Sequence, residues 1–181
     1  MSSRAVHMDG GGRSRAELEA WFEMLMTTHG PALGRLAASY TRRPSEREDL
    51  VQDIALAIWR ALPTFRRECS ERTFLFRIAH NRALTQLARR PLSTTDVAEL
   101  ALEDGAPDPE RALSSEQRTR RLTDAIHKLP LGHAQVVTLT LEGLSYAEIA
   151  DVLGISETNV GARLTRAREK LRHLLRTIDG R

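Results

Sequence analysis

The sequence predicts an all-α protein built from two small helical domains that a flexible acidic linker joins. Apolar residues recur at steps of three and four along most of the chain, which is the periodicity of one helix face. Capping motifs of the S-x-x-E type precede several of these segments, and no segment shows the two-residue alternation of a β-strand. Capping and periodicity fade in residues 91–110, where prolines and a glycine gather, so we place the domain boundary there.

The net charge of +3 is distributed unevenly along the chain. Residues 1–90 carry a net charge of +5 and residues 111–181 carry +4, whereas residues 91–110 carry −6 and contain no basic residue. All but two of the basic side chains are arginines, whose planar fork suits phosphates and base edges, although codon usage in a GC-rich genome gives the same excess. Two basic segments around an acidic one predict two modules that contact nucleic acid and a linker that does not.

The N-terminal domain is predicted at residues 14–90, after a tail of residues 1–13 that we expect to be disordered. Ser14 and Glu17 form an S-x-x-E capping box, which predicts the start of a first helix. Pro31 is expected to open a second helix, because proline is favoured at the first helical position, where its missing N–H has no partner to lose.

Two further helices are predicted in this domain. Ser45 and Glu48 form another S-x-x-E box, and the long helix that they start is expected to stop at Pro63. After a short loop, a fourth helix is expected over residues 71–90, with one apolar face directed inward.

The C-terminal domain is predicted at residues 111–178 and ends in a helix-turn-helix. An S-x-x-E box at Ser145 starts a short helix, Gly154 supplies the permissive backbone of a tight turn, and Ser156 is placed to cap the second helix. The apolar face of that second helix consists of Val160, Leu164, Ala167, Leu171 and Leu174. Its other faces carry the cations Arg163, Arg166, Arg168, Lys170, Arg172 and Arg176.

This basic second helix has the form of a helix that lies in the DNA major groove. A basic amphipathic helix on its own is more often a solvated surface helix. The two caps and the glycine turn at fixed spacing favour DNA binding over that alternative.

No residue pattern points to an enzyme, a cofactor site or a metal site. The histidines lack metal-ligand spacing, and the single Cys69 excludes an intramolecular disulfide and a Cys-based zinc cluster. Neighbouring arginines could make this thiol redox-sensitive, but it has no partner cysteine. No apolar run approaches the roughly 18 residues of a membrane span, and a lone thiol suits a reducing compartment, so we expect a cytoplasmic protein.

Three segments carry a family resemblance: Asp49-Leu50-Val51-Gln52-Asp53, Thr73-Phe74-Leu75-Phe76-Arg77-Ile78-Ala79-His80-Asn81, and the C-terminal GLSYAEIADVLGIS…NVGARLTRAREKLR. In this order, over about residues 15–178, the chain resembles a bacterial extracytoplasmic-function (group IV) RNA polymerase sigma factor of the sigma-70 superfamily. The resemblance implies a region 2-like helical bundle followed by a region 4-like helix-turn-helix domain. It also implies a non-enzymatic subunit that binds core RNA polymerase and promoter DNA, serves a stress or envelope response, and is held inactive by an anti-sigma factor.

The resemblance assigns core polymerase binding to the helix predicted after Ser45. In the family this helix docks on a coiled coil of the polymerase's largest subunit, while region 4 meets the flap region. The residues implied in docking lie off the inward stripe and are Asp49, Gln52, Asp53, Leu56, Trp59 and Arg60. A mixed polar surface with an aromatic anchor suits a protein interface. The alternative from the residues alone is a solvated helix face with Trp59 folded into the core.

The loop before the fourth predicted helix, and that helix itself, resemble the part that recognises and opens the −10 element. Unstacking bases costs roughly a few kcal/mol per step, which a basic groove and base pockets offset. The residues implied in −10 binding are Arg66, Arg67, Arg77, Asn81, Gln86, Arg89 and Arg90. Phe65, Phe74 and Phe76 could stack on bases, but such aromatics are more often core, Phe74 above all. Thr73-Phe74 and His80 depart from the family pattern, which leaves the −10 sequence open.

The second helix of the helix-turn-helix resembles the reader of the −35 element. The residues implied in −35 binding are Ser156, Thr158, Asn159, Arg163, Arg166 and Lys170. An arginine paired with guanine contributes about 1–3 kcal/mol of discrimination, and Thr158 with the helix N-terminus can serve phosphates. Gly161 and Ala162 stand where many relatives have a Lys-Ser pair. Close approach of DNA, a changed promoter choice and drift would each explain this.

Two alternatives stay open. The acidic linker resembles a segment that lies in polymerase channels as a placeholder for nascent RNA, but its composition equally fits a flexible tether. The whole chain could instead be a free-standing helix-turn-helix regulator with an N-terminal α-helical dimerisation or sensor domain. A sigma factor acts only with core enzyme, whereas such a regulator binds its operator unaided.

Overall fold

The computed structural model describes residues 14–89 and 115–179. Within these ranges every regular element is helical, which confirms the all-α prediction. The elements are α1 (Arg15–Tyr40), α2 (Pro44–Ala61), a 3₁₀ turn (Leu62–Thr64), α3 (Glu71–Arg89), α4 (Ser115–His127), α5 (Leu131–Leu141), α6 (Tyr146–Leu153) and α7 (Glu157–Asp179). The predicted N-terminal tail, the acidic linker and Arg90 lie outside the described residues, so the expectations for them stay predictions.

Helix α1 begins where the sequence predicts but continues through Pro31. The Glu17 amide donates a hydrogen bond to Oγ of Ser14 (3.3 Å) and the Ser14 amide donates one to the Glu17 carboxylate (2.6 Å), so this capping box is confirmed. The prediction that Pro31 opens a second helix is wrong, because one helix runs from Arg15 to Tyr40. Its buried residues are Leu18, Leu25, Leu33, Leu36, Ala37 and Tyr40.

Packing explains why Pro31 does not interrupt α1. An interior proline costs about 3 kcal/mol, because it removes one backbone hydrogen bond and crowds the preceding turn. Each large apolar side chain gains about 1.5–3 kcal/mol when it is fully buried. Leu33, Leu36 and Tyr40 all follow the proline on the buried face, whereas Pro31 itself is exposed. The continuous buried face therefore outweighs the local penalty.

Helix α2 begins at Pro44 rather than at a capping box. Arg43 is the N-cap and makes no side-chain cap bond, so the predicted start at Ser45 and Glu48 is wrong. Pro44 opens the helix because its ring fixes φ near the helical value and removes one N–H that would need a partner. The buried residues of α2 are Leu50, Ile54, Ala57 and Ile58.

Helices α1, α2 and α3 pack around one apolar core. The buried residues that α3 contributes are Thr73, Leu75, Phe76, Ala79, His80 and Ala83. Inside this core the hydroxyl of Tyr40 lies 2.7 Å from Nδ1 of His80. Burial lowers the pKa of His80 and raises that of Tyr40, so the two rings form a neutral hydrogen-bonded pair at neutral pH.

Helices α6 and α7 form the predicted helix-turn-helix. The Glu148 amide donates to Oγ of Ser145 (3.3 Å) and the Ser145 amide donates to the Glu148 carboxylate (2.8 Å), which confirms this capping box. Gly154 ends α6 in the left-handed region, with φ of 66° and ψ of 36°. The Asn159 amide then donates to Oγ of Ser156 (3.2 Å), as the predicted cap of α7 requires. The buried face of α7 includes Val160, Leu164 and Ala167.

The two groups of helices, α1–α3 and α4–α7, pack against each other. Helix α3 contacts α6, and α1 contacts both α4 and α5. The Arg35 guanidinium donates two hydrogen bonds of 2.7 Å to the carboxylate of Glu142, whose side chain is 7% exposed. Nε2 of His127 lies 2.6 Å from the carbonyl oxygen of Ala38. No sequence pattern predicted this contact between the two groups.

Candidate functional site

The six residues predicted to bind the −35 element lie on α7 and at Ser156, the residue that caps its N-terminus. The exposed members are Ser156, Thr158, Asn159, Arg166 and Lys170. Arg163 is half-buried, and its Nε donates a hydrogen bond of 3.0 Å to Oδ1 of Asn159 one turn earlier. The Asn159 side chain therefore accepts a hydrogen bond from one of the five N–H donors of the Arg163 guanidinium. The donors on the two Nη atoms can still bond to other groups.

A residue that the sequence reasoning missed, His133 in the first turn of α5, lies beside these cations. Burial lowers the pKa of His133, and the positive charges of Lys170, Arg166 and Arg163 lower it further. Its Nδ1 is buried and has no hydrogen-bond partner among the described residues. The start of α5 therefore belongs to the same basic surface as α7, a relationship that only the tertiary structure reveals.

Gly161 of α7 has room for a side chain. A Cβ at this position would lie 3.6 Å from Cε2 of Tyr146, which is an ordinary van der Waals distance. Ala162 beside it is exposed. A steric requirement of the fold at Gly161 therefore does not explain why the Lys-Ser pair expected from the family resemblance is absent here.

The residues predicted to bind the −10 element lie on α3 and on the loop before it. The exposed members are Arg66, Arg67, Asn81 and Arg89, and the half-buried members are Arg77 and Gln86. Arg67 has a φ of 59°, the only positive φ among the non-glycine residues described. This uncommon conformation turns the loop between the 3₁₀ turn and α3.

Part of the α3 surface is covered by α6. Nη1 of Arg77 lies 3.4 Å from Oδ1 of Asp151, and its Nη2 lies 4.0 Å from Sγ of Cys69. One turn earlier, Thr73 donates a hydrogen bond of 3.3 Å to the carboxylate of Glu148. The N-terminal half of α3 is therefore bonded to the first helix of the helix-turn-helix, whereas Asn81 lies beyond this contact and is exposed.

The aromatic side chains near this surface form a cluster. The ring centroids of Phe65 and Phe74 are 4.3 Å apart, and those of Trp21 and Phe65 are 6.0 Å apart. Phe76 is completely buried and cannot stack on a base. Phe74 is half-buried and packs against the core, in line with the expectation that it is a core residue. Phe65 is the aromatic residue of the loop that stays half-exposed next to Arg66.

The residues predicted to bind polymerase share one surface of α2. Its exposed members are Asp49, Gln52, Asp53, Leu56 and Arg60, and Leu56 is 46% exposed. Trp59 is half-buried, and its ring meets that of Phe22 edge to face at 5.5 Å. The indole of Trp59 therefore packs against α1, in line with the alternative that Trp59 folds into the core. The exposed apolar side chain of this surface is that of Leu56.

A groove of about 700 Å³ adjoins this surface. It is lined by α1, by α2 and by α4, so both groups of helices contribute to it. Gln52 stands at the border between the groove and the exposed surface of α2.

Within residues 14–89 and 115–179, no group of histidine, cysteine and acidic side chains is arranged to hold a metal ion. The helices in the same ranges include none that is long and apolar enough to cross a membrane.

Family comparisons match both parts of the chain. Residues 25–91 match Sigma-70 region 2, and residues 119–171 match Sigma-70, region 4. The first match contains the α2 and α3 surfaces, and the second contains α6 and the part of α7 up to residue 171.

Several curated proteins are similar over most of the chain. The RNA polymerase sigma factor NccH of Alcaligenes xylosoxydans xylosoxydans is 33% identical over 162 residues, which cover 86% of this chain and 87% of NccH. The ECF RNA polymerase sigma-E factor of Haemophilus influenzae is 32% identical over 169 residues, 87% of this chain and 88% of that protein. The ECF RNA polymerase sigma factor SigM of Mycobacterium tuberculosis is 33% identical over 172 residues, 90% of this chain and 85% of SigM.

Two solved structures have similar folds. CnrH in complex with the cytosolic domain of CnrY gives a TM-score of 0.66 at 29% identity, covering 90% of this chain and 94% of CnrH. The sigma factor RpoE of Bartonella quintana, in complex with the anti-sigma factor NepR, gives a TM-score of 0.68 at 25% identity, covering 86% of this chain and 96% of RpoE. The two matched regions, the near full-length relatives and the shared fold together show that the chain belongs to the extracytoplasmic-function family of RNA polymerase sigma factors.

Proposed function

We propose that this sigma factor reads the −35 element, opens the −10 element and docks on polymerase with three separate surfaces. These surfaces lie on two domains, residues 14–90 and residues 111–178. As a member of its family it binds core RNA polymerase and directs promoter-specific transcription initiation, and it is not an enzyme. The observation that carries the residue assignments is the capped α7, which exposes Arg166 and Lys170 on a helix-turn-helix scaffold.

The first surface is α7, which reads the −35 element. Arg163 and Arg166 contact guanine or phosphate, and Asn159 orients Arg163 through their 3.0 Å hydrogen bond. Ser156 and Thr158 stand at the N-terminus of α7, where free backbone N–H groups and the helix dipole favour a phosphate. The other DNA-binding residue of this surface is Lys170.

The second surface is α3 with its preceding loop, which recognises and opens the −10 element. Asn81 and Gln86 hydrogen-bond to extruded bases, because amide side chains match base edges. The cations that follow the displaced backbone are Arg66, Arg67, Arg77, Arg89 and Arg90. Asp151 of α6 pairs with Arg77 at 3.4 Å, so Arg77 must exchange this exposed partner for a phosphate when it binds DNA.

The third surface is that of α2, which docks on the coiled coil of the polymerase's largest subunit, while the C-terminal domain meets the flap region. Leu56 supplies an exposed apolar contact and Trp59 supports it from within the fold. The polar residues that surround this contact are Asp49, Gln52, Asp53 and Arg60.

The protein acts in the cytoplasm in a stress or envelope response, and an anti-sigma protein restrains it. Two similar structures hold their sigma factors in complex, one with the cytosolic domain of CnrY and one with the anti-sigma factor NepR. The groove between α2 and α4 suits such an inhibitor, because a partner seated there contacts both groups of helices and competes with polymerase for Gln52.

Run-off transcription tests this function. The purified chain is added to core RNA polymerase on a pool of genomic promoter fragments, and we expect a defined set of transcripts that core enzyme alone does not produce. A matched reaction contains the Arg166→Ala variant, which should retain core enzyme in a pull-down but lose most of the promoter-directed product.

The same preparation separates the competing function. A free-standing regulator would protect an operator from nuclease digestion without polymerase. If the chain gives such a footprint by itself and does not bind core enzyme, the proposed function is wrong.

A further inference from the structure

Gly132 occupies a position where its backbone does not need glycine. It is the second residue of α5, and the glycines described with a positive φ are Gly143 and Gly154. Glycine is among the least favourable residues within a helix, because fixing its backbone costs the most conformational entropy. The surroundings of Gly132 offer a reason for glycine that its backbone does not.

Those surroundings are the side chain of Arg163. A Cβ built on Gly132 would lie 2.9 Å from Nη1 of Arg163, 3.5 Å from Cζ and 3.9 Å from Nε. The first of these distances is shorter than any that a real Cβ tolerates, so an alanine here would displace the guanidinium. The same guanidinium is also held by Asn159, whose Oδ1 accepts the 3.0 Å hydrogen bond from Nε.

We propose that Gly132 is a positioning residue for −35 recognition, because its bare Cα lets the guanidinium of Arg163 rest between α5 and Asn159. The proposal deepens the assignment of Arg163 to the −35 surface and rests on it. A guanidinium confined in this way loses less conformational entropy on binding DNA than one that moves freely in solvent. Selectivity at the base that Arg163 reads should therefore depend on a residue that lies outside the recognition helix and has no side chain of its own.

The positive charges around Arg163 make the electrostatics of this surface sensitive to where its guanidinium lies. Arg163, Arg166 and Lys170 all act on the imidazole of His133, which is next to Gly132 in the chain. A guanidinium pushed away from Gly132 moves relative to these neighbouring cations and to the −35 bases. Because the displaced group is the end of a flexible side chain, the fold itself should survive the substitution.

The test uses the full chain with core polymerase, and promoters from the genomic pool in which each −35 base pair is changed in turn while the −10 element is kept. We expect Arg163→Ala to lose the preference at one base pair. Gly132→Ala should reduce the preference at that same base pair by about three- to tenfold, which is a fraction of what one arginine–guanine pair contributes. In the Arg163→Ala background, Gly132→Ala should have no further effect.

Gly30→Ala is the matched control, since a Cβ at residue 30 would meet only Met26, at 3.9 Å. It should leave selectivity unchanged. Thermal melting of Gly132→Ala should show an unchanged or raised melting temperature, because alanine favours the helix. Unchanged selectivity of Gly132→Ala, while Arg163→Ala loses its preference, overturns the positioning role and leaves the proposed function intact. Unchanged selectivity of Arg163→Ala overturns both the positioning role and the assignment of Arg163.

Discussion

The carboxylate of Glu148 accepts a hydrogen bond of 3.3 Å from the hydroxyl of Thr73, although the two residues belong to different groups of helices. The same carboxylate completes the capping box of α6 with Ser145. Hydrogen bonds from the Ser145 backbone, the Ser145 hydroxyl and Thr73 lower the pKa of Glu148, with the backbone bond as the largest cause. The Glu148 side chain therefore both caps α6, the first helix of the helix-turn-helix, and connects that helix to α3 by a hydrogen bond.

This relationship predicts energetic coupling between Thr73 and Glu148. Thr73→Val keeps the shape of the 2% exposed side chain but removes its hydroxyl, whereas Glu148→Ala removes both the cap and the contact. In a double-mutant cycle measured by urea unfolding, we expect a coupling free energy of about 0.5–1.5 kcal/mol. Additive effects of the two substitutions would show that the contact contributes nothing to stability.

The buried His80 predicts a pH-dependent stability. Burial lowers its pKa from the usual 6.5, so the unfolded chain binds more protons than the folded chain at mildly acidic pH. The free energy of unfolding should be highest above about pH 6.5 and should decrease as the pH falls below this value. Urea unfolding at a series of pH values measures this slope.

His80→Asn is the informative variant, because an amide can still hydrogen-bond to Tyr40 but does not titrate. The slope between about pH 7.5 and about pH 5.5 should be shallower than in the native chain. It should not vanish, since burial also lowers the pKa values of His29 and His133. An equal slope in both proteins would assign the pH dependence to groups other than His80.

The α2 surface predicts a charge-reversal phenotype. Asp53→Arg should weaken association with core polymerase by tenfold or more, which is about 1.4 kcal/mol or more, because reversing a charge places it against the complementary surface of the partner. A pull-down with immobilised core enzyme measures the retention. Glu23→Arg is the control, because Glu23 is also exposed but lies on α1, and its retention should match that of the native chain. Native-like retention of Asp53→Arg would remove this surface from the polymerase interface.

The exposed Asn81 predicts a defect in promoter opening. Asn81→Ala should reduce open-complex formation on duplex promoter several-fold more than on a promoter whose −10 region is already unpaired. The reason is that a lost base contact matters most when it must offset unstacking, roughly a few kcal/mol per step. Permanganate reactivity of unpaired thymines reports opening on both templates. Equal losses on the two templates would point to a role in binding alone.

Local signals in the sequence predicted the local structure well. The boxes that begin at Ser14 and Ser145 form as expected, because each needs only residues three positions apart and a helix that follows. The prediction that α2 starts with a capping box at Ser45 was wrong. Pro44 begins the helix one residue earlier, where its missing N–H needs no capping partner. The prediction at Pro31 failed for a different reason, because buried residues on both sides of it stabilise a helix that local preference disfavours.

Contacts between residues far apart in the chain could not be predicted from sequence patterns. The pairing of Thr73 with Glu148 and the close approach of Gly132 to Arg163 depend on how helices pack, not on any periodic pattern. The polar surface of α2 was predicted residue by residue, but the burial of Trp59 against Phe22 required the tertiary structure.

The unbroken course of α1 has a mechanical consequence. Because this single helical rod contacts α2 and α3 as well as α4 and α5, both groups of helices are packed against one element. Closely packed helices transmit small displacements, so a ligand that tilts α1 would shift both halves at once. Pro31, near the middle of the rod, is the point at which its hydrogen-bond ladder is weakest and bending is easiest.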